Sequence, residues 1–221
     1  MKIIAYPFAG GSSYSYARLA RDHMYEWITL DPPGHGSSMR LPLMHSIPEM
    51  VSALLEPTLR ATAGSAYVLF GHSMGAYIAL AMLDRLVELG ASLPARLVMS
   101  GAAAPHSRVL QHHAELPQKE FLEWVANMGG ISAEVLAEPQ LVELFEPILR
   151  ADIGAAEAYS DGSLRDYDGP VHILLGKDER IALADGLAWA DCFVRVPEVH
   201  LFDGGHFFLF DEIQTVQALI A

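Results

Sequence analysis

The chain has 221 residues, enough for one domain with a substantial buried core, and its 52% hydrophobic and 19% charged content excludes a disordered or fibrous chain. A formal net charge of −13 argues against nucleic acid as a general partner, because phosphate binding draws on clustered Lys and Arg. No apolar run nears the roughly 20 residues that span a membrane, and Met1 to Tyr6, cut off by Pro7, is too short for a signal peptide. Cys192 is a lone cysteine, so no internal disulfide forms and a reducing cytoplasm fits; Trp189, Phe193 and Val194 mark it as a small core residue rather than a reactive thiol.

In chain order, β-rich runs alternate with amphipathic segments. Strands are expected at Lys2 to Tyr6, Trp27 to Leu30, Ala66 to Phe70, Arg96 to Ser100, Val171 to Leu175 and Val194 to Phe202. Helices are expected near 14–23, 47–62, 75–89, 181–190 and 211–220. Several strands are almost wholly apolar, as strands covered on both faces are, so the pattern predicts an α/β fold with a mostly parallel sheet flanked by helices. A single domain over 1–221 is expected.

The alternation breaks between about 105 and 168. Pro117 opens an expected helix with Phe121, Leu122, Trp124, Val125 and Met128 on one stripe. After Gly129-Gly130 a second stripe holds Leu141, Val142, Leu144, Phe145, Ile148 and Leu149. These helices fit no simple strand crossover and read as an insertion above the sheet, either plain packing or a helical lid over a substrate channel.

Gly71-His72-Ser73-Met74-Gly75 fits G-x-S-x-G, a short pattern whose weight comes from its setting between an apolar strand, Tyr67 to Phe70, and a helix from Ala76. A serine on so sharp a turn needs small neighbours two positions away, which Gly71 and Gly75 are. At a helix N-terminus, backbone N–H groups favour developing negative charge. Ser73 is therefore the candidate nucleophile. His72, beside it on the turn, is expected to point away from the hydroxyl. The first oxyanion donor is expected to be the N–H of Met74. The second is placed in Pro7-Phe8-Ala9-Gly10-Gly11 after the first strand: Ala9 N–H, with Phe8 as the alternative. A phosphate loop is excluded there, since neither G-x-G-x-x-G nor a P-loop lysine is present.

A serine hydroxyl needs a histidine to take its proton and a carboxylate to orient that histidine. Of ten histidines, His206 stands out, following the last strand in Phe202-Asp203-Gly204-Gly205-His206. Asp178, in Gly176-Lys177-Asp178 just past the strand ending at Leu175, is the expected acid, giving the order Ser73, Asp178, His206. Asp203 is the rival, three residues before the histidine.

With these pieces in place the chain resembles the type II thioesterases of nonribosomal peptide and polyketide synthesis. The likeness runs in order through Pro7-Phe8-Ala9-Gly10-Gly11, Asp31-Pro32-Pro33-Gly34-His35-Gly36, the Ser73 pentapeptide, Ser100-Gly101 with Ala104-Pro105-His106, Leu149-Arg150-Ala151-Asp152, and Gly204-Gly205-His206-Phe207-Phe208-Leu209. Thioesterase domains fused to synthases often carry the acid after the strand preceding the lid; Ser100-Gly101-Ala102-Ala103-Ala104 offers no carboxylate, which leaves the later Asp178. The resemblance implies an α/β-hydrolase fold, and hydrolysis of acyl groups from the phosphopantetheine arm of an acyl or peptidyl carrier protein, through an acyl-serine and without metal or bound organic cofactor. A general carboxylesterase or lipase, a serine acyltransferase and a catalytically silent binding protein are the competing expectations. Carrier proteins are acidic and so is this chain, so a local docking patch near the insertion, at Arg108 or Lys119, is expected to resolve the conflict.

Overall fold

The computed structural model describes residues 1–109, 111–179, 181 and 183–221. Leu110, inside the expected insertion, and Ala182, inside the expected helix near 181–190, lie outside the described residues.

The described residues form a six-stranded, all-parallel sheet in the order β2-β1-β3-β4-β5-β6. The strands are β1 (Lys2–Tyr6), β2 (Glu26–Thr29), β3 (Tyr67–His72), β4 (Arg96–Ser100), β5 (Val171–Gly176) and β6 (Glu198–Phe202). The central strands alternate between two apolar layers. Ile4, Tyr6, Leu69, Leu97, Met99 and Ile173 face one cluster, while Ile3, Ala5, Val68, Phe70, Val98 and Leu174 face the other. Helices α2 (Ile47–Thr62) and α3 (Met74–Glu88) cover the first layer; α1 (Ala17–Ala20) and α8 (Ile213–Ile220) cover the second.

Local chemistry sets the ends of these elements. Ser46 Oγ accepts the Glu49 N–H at 3.3 Å and Glu49 Oε2 returns to the His45 N–H at 3.0 Å, a reciprocal cap that starts α2 where Pro48 can enter the first turn. Three expected elements are shorter than their apolar runs. β6 begins only at Glu198, because Pro197 has no N–H to give the ladder. α1 is a single turn, ending before Asp22 at φ 58°. The segment near 181–190 is helix α7 (Leu183–Leu187) passing into a 3-10 turn, Ala188–Cys192.

Between β4 and β5 lie α4 (Gln118–Asn127), α5 (Ala133–Leu136) and α6 (Pro139–Ala158). Phe121, Val125, Leu149 and Ile153 make a separate small core there. Arg150 ties it together, reaching the Ala114 and Leu116 carbonyls at 2.6 and 2.9 Å and Glu146 at 2.8 Å, with its guanidinium 4.2 Å over the Phe121 ring. The segment leaving α6 is fastened to α3 by Arg165, whose fork takes both oxygens of Asp84 at 2.7 Å and also binds Asp161. Arg108, expected on a docking surface, is instead spent internally. Its guanidinium holds the carbonyls of Ala156 and Tyr159 and lies 4.5 Å over Tyr77, while Lys119 stays on the surface. Cys192 is fully buried, and that burial pushes its thiol up to about 11, consistent with a core residue.

Candidate active site

The strand order reverses direction at β1: the chain moves out to β2 on one side and to β3 on the other. In an open parallel sheet the loops leaving the C-terminal ends of such strands diverge and open a crevice. Tyr6 pairs with Gly71 at that end, so the loop after β1 and the turn after β3 leave the sheet side by side.

The turn is strained. Ser73 sits at φ 55°, ψ −120°, a conformation rare for a residue with a side chain, and its N–H is held by the Ser100 carbonyl at 2.7 Å. The two glycines are obligatory. A Cβ on Gly71 would lie 2.0 Å from the Gly75 carbonyl oxygen, and one on Gly75 would lie 2.1 Å from the Tyr6 carbonyl oxygen of β1. Met74 is the first residue of α3, so its N–H has no partner within the helix and opens beside Ser73.

Across the crevice, the loop 7–11 is anchored at both ends. Tyr16 Oη donates to the Tyr6 carbonyl at 2.9 Å and accepts from the His72 N–H at 3.2 Å. Gly10 N–H donates to Asp152 Oδ2 at 2.7 Å. Gly11 N–H closes the loop on the Phe8 carbonyl at 2.8 Å, and Ala9 N–H has no acceptor among the described residues.

His206 lies in the loop after β6, its ring 4.7 Å from that of His72. Its Nδ1 meets a carboxylate at 2.9 Å, and the carboxylate is Glu179, not the expected Asp178. Glu179 is 1% exposed at its side chain and takes the Gly176 N–H on its other oxygen at 2.6 Å. The turn explains the one-residue displacement. Glu179 N–H closes back on the Gly176 carbonyl at 3.3 Å and Asp178 N–H is fixed by the Gly204 carbonyl at 3.0 Å, which aims residue 179 inward and leaves Asp178 exposed. The rival Asp203 is also exposed, paired to Lys177 Nζ at 2.6 Å. Two adjacent acidic residues past β5 were the one signal in the chain for Glu179; which of them turns inward depends on that turn.

Glu179 on Nδ1 leaves Nε2 as the free ring nitrogen of His206; among the described residues no hydrogen bond joins it to Ser73 Oγ, and contacts of that kind commonly tighten only with substrate bound. His72 does point away: its Nδ1 pairs with Ser100 Oγ at 2.9 Å, and a Cβ on Gly101 would strike its ring at 2.3 Å. Full burial, then the nearby His206 charge, holds the His72 pKa far below the usual imidazole value, so it is neutral and no proton acceptor at working pH. The insertion reaches the same place. A Cβ on Gly129 would lie 3.3 Å from Phe207, the neighbour of His206, and one on Gly10 would lie 2.7 Å from Leu149 of α6.

One set of metal-capable groups occurs among the described residues: His172, Glu198 and His200, at the β5–β6 edge and apart from the crevice. His172 Nδ1 and His200 Nε2 are 3.0 Å apart, the separation of a direct hydrogen bond, and the charges of Arg96 and Arg195 act on His172, which disfavours a cation there.

Residues 1–220 match the thioesterase domain family model. The chain belongs to the thioesterase domain family. As a thioesterase it is 26% identical over 219 residues to the medium-chain S-acyl fatty acid synthase thioesterase of Rattus norvegicus, covering 94% of this chain and 81% of that one. To thioesterase PikA5 of Streptomyces venezuelae it is 26% identical over 215 residues, covering 96% of this chain and 76% of that one. Among solved structures it superposes on the type II thioesterase BorB of the borrelidin biosynthetic cluster with TM-score 0.86 and 28% identity, covering 99% of this chain and 90% of that one. The fold of this thioesterase is that of the α/β-hydrolases. No helix among the described residues is long and apolar enough to cross a membrane.

Proposed function

We propose that this thioesterase hydrolyses acyl groups from the phosphopantetheine arm of an acyl or peptidyl carrier protein, with Ser73 as nucleophile, His206 as base and Glu179 as the carboxylate that orients His206. The observation carrying the reading is the 2.9 Å contact of His206 Nδ1 with a sealed carboxylate, beside a serine held at positive φ on a strand-to-helix turn. The likeness to a type II thioesterase of the borrelidin biosynthetic cluster supports the carrier-bound substrate.

Ser73 Oγ attacks the thioester carbonyl while its proton passes to His206 Nε2. The N–H groups of Met74 and Ala9 hold the oxyanion, each worth about 10² to 10³ in rate in such sites. The carbon–sulfur bond breaks, the pantetheine sulfur takes the proton from His206, and an ester remains on Ser73. Water then gives its proton to His206 and attacks the ester, and Ser73 Oγ leaves with that proton. Glu179 keeps the ring in the tautomer that presents Nε2 and stabilises the cation formed in each half. No step draws on a metal or an organic cofactor. The helices between β4 and β5, within the segment 105–168, serve as the lid over the acyl channel, a role supported by Leu149 and Gly129 closing on Gly10 and Phe207. A buried free cysteine fits work in the cytoplasm.

The test is a comparison of purified enzyme on acyl-carrier proteins and on p-nitrophenyl esters of the same acyl groups, with intact-mass detection of acyl-Ser73. Higher kcat/KM on the carrier-bound thioester, with an adduct lost in Ser73→Ala, is expected. Preference for the simple ester would make it a general carboxylesterase, and acyl transfer to an added amine or alcohol in place of hydrolysis would make it an acyltransferase.

A further inference from the structure

Asp152 is the most deeply buried carboxylate near the crevice without a part in the chemistry above: it is 0% exposed, on α6. A carboxylate is not left in such a place unless something neutralises it and fills its lone pairs. Its Oδ2 receives the Gly10 N–H at 2.7 Å and faces His35 Nε2 at 2.8 Å, bringing together segments 142 and 117 residues distant in sequence. Its Oδ1 has no partner among the described residues, so the whole hydrogen-bonding load is on the oxygen that faces the loop.

His35, itself 3% exposed, has its other nitrogen, Nδ1, 3.0 Å from the Pro33 carbonyl oxygen. A carbonyl oxygen only accepts, and an ionised carboxylate only accepts. With the carboxylate ionised, both contacts of the ring are hydrogen bonds at once when both nitrogens carry hydrogen, an imidazolium against a carboxylate. Asp31 adds a second negative charge near the ring.

The backbone held by this pair is the one that must be held. Gly10, at φ +73°, follows Ala9 directly, and a Cβ on it would lie 2.7 Å from Leu149 Cδ2 of the same helix. Fixing Gly10 N–H fixes the peptide that joins it to Ala9, and the Phe8 carbonyl, which shares a peptide plane with Ala9 N–H, is held by Gly11 N–H at 2.8 Å, so the orientation of Ala9 N–H follows. A donor misplaced by about 1 Å costs on the order of 10² in rate.

We propose that Asp152 and His35 are positioning residues for the oxyanion hole, clasping the loop 7–11 to helix α6 so that Ala9 N–H is correctly aimed only while the insertion is docked. This rests on the assignment of Ser73 and Ala9 made above. The clasp makes the insertion a working part of the catalytic centre as well as its cover.

The decisive experiment measures Asp152→Ala, Asp152→Asn and the double variant His35→Gln with Asp152→Asn on an acyl-carrier protein, alongside inhibition by an alkyl trifluoromethyl ketone. That ketone forms a hemiketal with Ser73 whose oxyanion occupies the hole, whereas ground-state binding of the carrier does not load it. The Asp152→Ala and double variants are expected to lose about 10- to 100-fold in kcat with KM within about twofold. Inhibitor affinity should fall by a similar factor in both. Asp152→Asn, which keeps shape and an acceptor, should fall between these and wild type. The double variant removes the buried charge together with its partner, so it keeps the test open if Asp152→Ala does not fold. Wild-type kcat and inhibitor affinity in the folded variants would overturn the clasp, as would a change confined to KM. If instead wild type fails to bind the ketone and Ser73→Ala still turns over, the active-site assignment itself is lost, a separate outcome.

Discussion

Glu179 Oε2 lies 2.9 Å from His206 Nδ1 with its other oxygen on the Gly176 N–H, so this carboxylate is held from both sides before any substrate arrives. Replacing it with glutamine presents an amide to Nδ1 and favours the wrong tautomer. Glu179→Gln is expected to lower kcat by about 10³- to 10⁴-fold, whereas Asp178→Asn stays within about twofold. Glu179→Asp, one methylene short, should fall between them. Steady-state rates on one acyl-carrier protein decide this; a large loss in Asp178→Asn instead would return the role to that residue.

The elbow admits no extra carbon. Gly75→Ala would drive a methyl to 2.1 Å from the Tyr6 carbonyl oxygen, and the β1 backbone is not free to move. We expect a loss of about 1 to 3 kcal/mol in denaturant unfolding together with near-complete loss of hydrolysis. Ser73→Ala, by contrast, should be as stable as wild type and inactive, and should not be labelled by a fluorophosphonate.

The His35–Asp152 pair should leave a mark on stability as a function of pH. Burial alone lowers the His35 pKa, but the Asp152 carboxylate, with Pro33 and Asp31, outweighs it and raises the folded value above that of a free imidazole. A raised folded value means the stabilisation is fully present below about pH 6.5 and is lost as pH rises through the folded pKa. The advantage of wild type over the His35→Gln, Asp152→Asn double variant should therefore shrink as pH climbs above neutrality. Thermal unfolding of both proteins from pH 6 to 9 measures it, and a gap that widens with pH would refute it.

Arg165 offers a stability test remote from the chemistry. Its side chain is 6% exposed and its fork is filled by Asp84, with Asp161 beside it. Arg165→Ala leaves both carboxylates without their cation; about 3 kcal/mol of destabilisation is expected, at the low end for a broken buried pair because Asp84 is 34% exposed. Equilibrium unfolding should show this with kcat little changed.

The parts of the molecule legible in the sequence were those governed by local rules. β1 and β4 match their apolar runs residue for residue, because strands covered on both faces leave an unbroken signal, and α2 matches because Ser46, Glu49 and Pro48 declare its start. The motifs holding Ser73, Met74, Ala9 and His206, the residues proposed for the site, were placed at strand ends, and the sheet brings those strand ends to one crevice. What escaped depended on contacts no local rule encodes. Glu179 turns inward because the distant Gly204 carbonyl fixes the turn through Asp178. The role of Asp152 comes from a glycine amide 142 residues away. Arg108 looked like a surface cation only because nothing in its neighbourhood of sequence announces the carbonyls at the end of α6.

The loop 7–11 is pegged at the Phe8 carbonyl by Gly11 N–H and at Gly10 N–H by Asp152 of α6. Ala9 is the span between two pegs. Its amide is placed by its neighbours, while its methyl group faces the small core of the insertion. The two halves of one residue are thereby uncoupled: a larger or smaller side chain at position 9 would reshape the space beside the insertion, and the amide hydrogen proposed for the oxyanion would stay where it is.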